Sequence, residues 1–233
     1  MNLKRNFLKA AAASAGAVLL APLLSGCGGG EEEPTDAAAL DDAADAETYA
    51  RRGPASRAAP TTLTEQEIAD MRFMREEEKL AHDVYITLFN VWGAPVFANI
   101  AESETAHTEA VLRLLLKKGL PDPAKGQPVG YFENQELQTL YNQLVEQGRR
   151  SLVDALSVGA LIEEKDIWDI RQKMAATDEA DALKTYQNLL CGSYSHLLAF
   201  NRQLKANGVS YTAQVLTQAE WNAIVAGTSS CTS

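Results

Sequence analysis

Glu104 and His107 stand three residues apart in the run Phe97-Ala98-Asn99-Ile100-Ala101-Glu102-Ser103-Glu104-Thr105-Ala106-His107. At 3.6 residues per turn, Phe97, Ile100, Ala101, Glu104, His107, Thr108, Val111 and Leu115 share one helical stripe, so a carboxylate and an imidazole point where the apolar residues point. An unpaired carboxylate buried there is costly, and a proton, a buried partner or a metal ion makes it tolerable. Glu-x-x-His on one helix face offers an oxygen and a nitrogen to a single cation.

The stripe occurs twice. An offset of 89, which carries residue 104 to 193, turns it into Tyr186, Leu189, Leu190, Ser193, His196, Leu197, Phe200 and Leu204. Aromatic falls on aromatic and His on His, and these are two of only three histidines in the chain. Two further helices carry inward acids. One has the stripe Met71, Met74, Glu78, Ala81, Tyr85 and Leu88; the other has Leu152, Leu156, Gly159, Glu163, Ile167, Ile170 and Met174, with Asp166 one turn beyond Glu163. Glu76, Glu77 and Glu78 are consecutive, so periodicity alone leaves Glu77 in reserve. An offset of 85, which carries 78 to 163, pairs Leu156 with Met71 and Ile170 with Tyr85, and so favours Glu78.

The inward polar set is therefore Glu78, Glu104, His107, Glu163, Asp166 and His196, with Ser193 where a second Glu-x-x-His would have its Glu. Carboxylates and imidazoles from four facing helices suit two divalent ions, iron first and manganese or zinc as alternatives. Tyr85, near Glu78, is the candidate catalytic residue, as a hydrogen-bond donor or redox neighbour. His82 reads as structural or solvated, Glu76, Glu109 and Glu164 as solvated charges, and Trp92 and Trp168 as packing.

These residues need long helices to hold them. Thr64 with Glu67 forms a capping box that opens the first, which Gly93 and Pro95 end. The second runs over about 95–118. A Gly- and Pro-rich stretch and a short helix over about 134–147, with Leu137, Leu140, Tyr141 and Leu144 inward, form a long crossover. The third and fourth long helices cover about 149–176 and 180–207, and Thr217-Gln218-Ala219-Glu220 caps a short helix in the tail. A chain of 233 residues, 46% hydrophobic, has room for one sizeable core, and its scarce alternating runs make it all-α. The net charge of −10 argues against nucleic acid as a partner.

Residues 1–27 have the basic start and apolar middle of an export signal, and Leu24-Ser25-Gly26-Cys27 resembles the lipobox of bacterial lipoproteins, which implies lipidation of Cys27. Lys4-Arg5-Asn6-Phe7-Leu8-Lys9 resembles a twin-arginine signal with Lys for the first Arg. Residues 28–62 are an acidic tether and 63–233 the helical domain with its tail. The expected location is the bacterial cell envelope, at the periplasmic face or cell surface, with the membrane a partner through the lipid. In that oxidising setting Cys191 and Cys231 either pair or stay free.

Arg75-Glu76-Glu77-Glu78-Lys79-Leu80-Ala81, Ala101-Glu102-Ser103-Glu104-Thr105-Ala106-His107, Gly119-Leu120-Pro121-Asp122-Pro123, Gly159-Ala160-Leu161-Ile162-Glu163-Glu164-Lys165-Asp166-Ile167 and Gly192-Ser193-Tyr194-Ser195-His196 occur in one order. Together they resemble the bacterial ferritin-like family filed as domain of unknown function 2202, over roughly residues 63–224. Glu78 with Ala81 and Tyr85 is also similar to the first ligand helix of ferritins and rubrerythrins. The resemblance implies a ferritin-like four-helix bundle, with the short extra helix in its long crossover, and a di-metal centre; Ser193 departs from the ferritin pattern and makes Asp166 a replacement ligand.

The expected function is that of an envelope-anchored di-metal carboxylate protein, with dioxygen or peroxide as partner, oxidising iron or protecting against oxidants. A non-catalytic metal-binding or metal-sensing lipoprotein and a metal-free helical interaction module are the alternatives. A homodimer is left open. Mineral storage ranks low, because a tethered chain is poorly suited to building a closed shell.

Overall fold

A computed structural model of the chain describes residues 62–229. The leader, Cys27, nearly all of the tether and Cys231 lie outside them. The described residues form helices and connecting loops: α1 (Glu65–Trp92), α2 (Pro95–Lys117), α3 (Gln135–Gly148), α4 (Leu152–Ala175), α5 (Ala180–Ala206) and α6 (Gln218–Val225). The described residues are thus an all-helical bundle. Helix signals in the sequence lie close to the observed ends. Thr64 and Glu67 cap α1 reciprocally, Gly93 ends it in the left-handed region at φ 62°, and Pro95 opens α2 where its missing N–H costs nothing. Ser151 caps α4 two residues after the expected start, Glu179 caps α5, and Thr217 with Glu220 boxes α6.

Cross-helix pairs fix how the long helices run. Tyr85 meets Phe97, Lys173 lies near Asp70, Lys117 reaches Asp181 and Phe97 meets Phe200, so each long helix is antiparallel to both neighbours in the ring α1, α2, α5, α4. In such a ring α2 and α4 point the same way. The connection between them must run the length of the bundle, and α3 lies within it, packed on α1 and α4. The core between the helices includes Met71, Met74, Leu88, Phe97, Leu115, Leu156, Ile167, Tyr186 and Phe200, all fully buried. At about 1.5–3 kcal/mol for each large apolar side chain removed from water, this core can carry several buried polar groups.

The outer faces of α1 and α4 are covered as well, which overturns one expectation. Glu76 and Glu164, expected to be solvated, are buried. Glu76 accepts backbone N–H groups of Glu133 and Asn134 at the start of α3, at 2.5 and 3.2 Å. Beside it Arg75 pairs with Asp122, and Asp83 accepts Gly130 N–H at 2.8 Å while also holding Lys79. Glu164 does the same for the tail, accepting N–H groups of Gln214, Val215 and Leu216 at 3.0 Å each. Helical periodicity identifies one buried face; it cannot foresee a crossover or tail laid over a second. Trp168, read as packing, is 42% exposed, whereas Trp92 is part-buried and donates to the Gly148 carbonyl at 2.8 Å. Glu109 is exposed as expected, and His82 is partly exposed beside Asp83. Cys191 is disulfide-bonded, and the proposed pairing with Cys231 falls outside the described residues.

Glu164→Ala removes the shared acceptor of three N–H groups, of which that of Leu216 is buried, and should lower the unfolding free energy by about 1–3 kcal/mol, with the tail opened to proteases. Glu164→Gln, which keeps one carbonyl oxygen, should lose less. Urea unfolding and limited proteolysis check this, and an unchanged midpoint for the alanine variant would contradict it.

Candidate metal centre

Each long helix delivers its polar residues to one level of the bundle. Glu78 comes from α1, Glu104 and His107 from α2, Glu163 and Asp166 from α4, and Ser193 and His196 from α5. All but His107 are buried, and the His107 side chain keeps 12% of its surface. Glu104 lies at the centre. Its Oε2 is 3.0 Å from His107 Nδ1 and its Oε1 2.8 Å from His196 Nδ1. A second carboxylate stands by each imidazole: Glu78 Oε2 at 3.2 Å from His107 Nδ1, and Glu163 Oε2 at 3.6 Å from His196 Nδ1. The two rings lie 5.3 Å apart, and one ligand atom from each of Glu104, His107 and His196 falls within 4.8 Å of the others.

Glu78, rather than the reserve Glu77, therefore belongs to this pocket. Glu77 is buried too, but it turns along the α1–α4 seam to accept Lys165 Nζ at 2.7 Å. Asp166 is buried beside the pocket. Its Oδ2 accepts the Ser193 hydroxyl at 2.5 Å, so the serine that replaces a Glu in the second motif serves a carboxylate from the next helix. The Tyr85 hydroxyl donates to Glu163 Oε1 at 2.5 Å. Its ring packs on Phe97 and Phe200, and Gly159 leaves room for Phe200, because a Cβ there would overlap that ring. Two contacts were not read from the sequence. Ser103 Oγ lies 2.9 Å from His196 Nε2, and His107 is seated on the α5 backbone at Gly192. The signal for the second was present: glycine inside a helix is unfavourable unless something needs the space.

Glu78 Oε1, Asp166 Oδ1 and His196 Nδ1 are buried with no hydrogen-bond partner. The His196 nitrogen is close to Glu104 Oε1, yet the two do not meet in hydrogen-bonding geometry. At about 1–3 kcal/mol each, three orphaned atoms cost ~3–9 kcal/mol. That rivals the net stability of a whole domain, about 5–15 kcal/mol. The donor set, mixed carboxylate and imidazole with buried unsatisfied atoms, fits divalent iron, manganese or zinc.

Without cations the pocket must hold protons. Burial pushes the Glu78 carboxyl up to about 7 despite the neighbouring His107. Burial also raises Glu163, partly offset by His196, and it raises Asp166 well above the carboxylate range, reinforced by Glu78, Glu77, Glu163 and Glu104. For Glu104 burial acts the same way but is outweighed by the hydrogen bond with His107 and by the charge of His196 beside it, which together hold it down at about 2. Burial alone would lower the imidazoles. Glu104 and Glu78 instead raise His107 to about 12, and Glu163 and Glu104 raise His196 to about 10. Burial, then Glu163, keeps the Tyr85 phenol protonated.

These shifts set a pH dependence. Glu78 and both imidazoles bind protons more tightly folded than unfolded, so their contribution is full below 4.5 and 6.5, respectively, and is lost as pH rises through about 7, 10 and 12. Glu104 acts oppositely, stabilising above 4.5 and ceasing to do so toward about 2. Kept in chelator, the protein should be clearly less stable at pH 9 than at pH 6, because the folded pocket still holds protons that the unfolded chain has given up. Denaturant unfolding across that range checks this, and a flat or rising profile would contradict it.

Known proteins bear on this geometry. A family model described as "Uncharacterized protein domain (DUF2202)" matches residues 67–228. The chain is 46% identical over 163 residues to the uncharacterized protein MJ0754 of Methanocaldococcus jannaschii, covering 70% of this chain and 88% of that protein. The crystal structure of hypothetical protein MJ0754 superposes with a TM-score of 0.71 at 44% identity, covering 75% of this chain and 98% of the other. The family match spans all of the bundle but the first two residues of α1, and it includes all six proposed ligands. This chain belongs to the DUF2202 family.

Proposed function

We propose that the chain is a di-metal carboxylate protein of the ferritin-like kind, anchored to the cell envelope through a lipid on Cys27, and that its metal pair is iron. One observation carries the reading: Glu104 divides its two oxygens between two imidazoles, each of which has a further glutamate of its own. Glu78 with His107 would hold one ion, Glu163 with His196 the other, and Glu104 would bridge. Asp166, steadied by Ser193, stands by as an additional carboxylate. A pair of ferrous ions supplies two electrons, enough with two protons to take dioxygen to hydrogen peroxide, or peroxide to water.

The chain's own residues prepare the site for that chemistry. Tyr85 fixes the orientation of Glu163 and, with Phe97 and Phe200, walls one end of the pocket with aromatic surface that excludes water. Protons that Glu78 and the imidazoles hold in the metal-free state leave when cations enter, so affinity rises with pH. His107, the ligand with exposed surface, marks the side from which a small oxidant arrives.

Anaerobic loading with ferrous iron, elemental analysis and then exposure to air test the proposal. Two irons per chain that oxidise promptly support it. Two irons that stay ferrous support a metal-holding or metal-sensing protein instead, and no bound iron leaves a helical interaction module. Glu104→Ala and His196→Ala, checked for folding by circular dichroism, should each abolish stoichiometric metal; full loading in either would refute the ligand assignment.

A further inference from the structure

The internal repeat extends to the residue before each motif. The offset of 89 that carries Glu104 to Ser193 and His107 to His196 also carries Ser103 to Gly192. These two positions do the same thing from opposite helices. Ser103 on α2 meets His196 of α5, with Oγ 2.9 Å from Nε2. Gly192 on α5 meets His107 of α2, and a Cβ built on it would overlap the imidazole at Nε2 and Cε1. Each position therefore holds the outer edge of the opposite histidine, one with a hydroxyl and the other by leaving backbone bare.

The consequence lies in the ring nitrogens. A neutral imidazole carries one N–H, and an acceptor at one nitrogen leaves the lone pair on the other. With the Ser103 hydroxyl accepting from Nε2–H, the neutral ring has its lone pair at Nδ1, the atom 2.8 Å from Glu104 Oε1 and out of hydrogen-bonding geometry with it. Without metal the charged ring keeps a proton at Nδ1; once that proton leaves, a lone pair faces the carboxylate oxygens, and only a cation between them makes that arrangement favourable. His107 also turns Nδ1 to the carboxylates, Glu104 Oε2 at 3.0 Å and Glu78 Oε2 at 3.2 Å, but it is placed by shape. Its ring lies so close to α5 that any side chain at 192 displaces it.

We propose that Ser103 and Gly192 are the positioning residues that make the two halves of the pocket unequal: Ser103 locks His196 with Nδ1 as its ligand atom, and Gly192 provides the seat without which the Glu78–His107 half cannot hold an ion. The proposal rests on the di-metal reading and goes beyond it, because it assigns different supports to two ligand pairs that the repeat would otherwise make equivalent.

The test titrates the full chain with ferrous iron under anaerobic equilibrium dialysis and counts iron per chain. The parent protein binds two. Gly192→Ala binds one, and its loss of stability is relieved in Gly192→Ala/His107→Ala, which unfolds no earlier than His107→Ala alone because alanine is the better helix residue. Ser103→Ala still binds two, one of them about tenfold to a hundredfold more weakly, and Ser103→Thr restores the affinity by returning the hydroxyl. Nitrogen-15 spectra of histidine-labelled, zinc-loaded protein show both imidazoles bound through Nδ1, and in Ser103→Ala the His196 signal no longer reports a single tautomer. Two irons in Gly192→Ala at parental affinity, no rescue in the double variant, or unchanged affinities in Ser103→Ala would overturn the proposal while leaving the di-metal reading intact. A parent protein that binds neither iron nor zinc would overturn both.

Discussion

Negative charge removed from water governs this bundle. Four carboxyl groups and two imidazoles meet at one level of the helices, and desolvation penalises every ion among them. Protons relieve part of the cost, which is why Glu78, Glu163 and Asp166 are pushed toward their neutral forms while both imidazoles are held charged. They do not relieve all of it, since buried oxygens and a ring nitrogen still lack partners. Replacing such a set by well-packed apolar residues would stabilise a protein whose only task was to fold. Keeping it makes sense where cations complete it.

The remaining acids on the same helices show how finely direction is used. Glu76, Glu77 and Glu78 are consecutive and all buried, yet at about 100° per residue they face three partners: the amides at the start of α3, the Lys165 ammonium on α4, and the pocket. On α4 Glu163 faces the pocket, Glu164 clasps the tail, and Lys165 returns to Glu77 and Asp169. One turn of each helix thus joins its neighbours, fastens an irregular segment and supplies a candidate ligand. Fold and site share the same residues, so loosening the crossover or the tail would also disturb the level at which the ligands meet.

Much of this was legible in the chain. Capping residues, glycines and prolines located the long helices to within a few residues, and the two offsets singled out Glu78 from three adjacent glutamates and matched His107 with His196. What the chain hid has a common cause. Periodicity describes one helix against one core, whereas Glu76 and Glu164 are buried by loops that return from far along the sequence, and Trp168 stays 42% exposed among the described residues. Ser103 acts across a helix–helix seam through a hydroxyl that looks like any surface serine, and Gly192 acts through what it lacks. Repeats show which positions correspond, but the distances between them come only from packing.

Cations at the centre of the bundle are the claim on which this account stands, and anomalous scattering at the iron edge from crystals of the loaded protein tests it most directly. Two peaks flanking Glu104 are expected, one beside His107 and Glu78 and one beside His196 and Glu163. A pocket without peaks, its glutamates and histidines still bonded directly to one another, would contradict it.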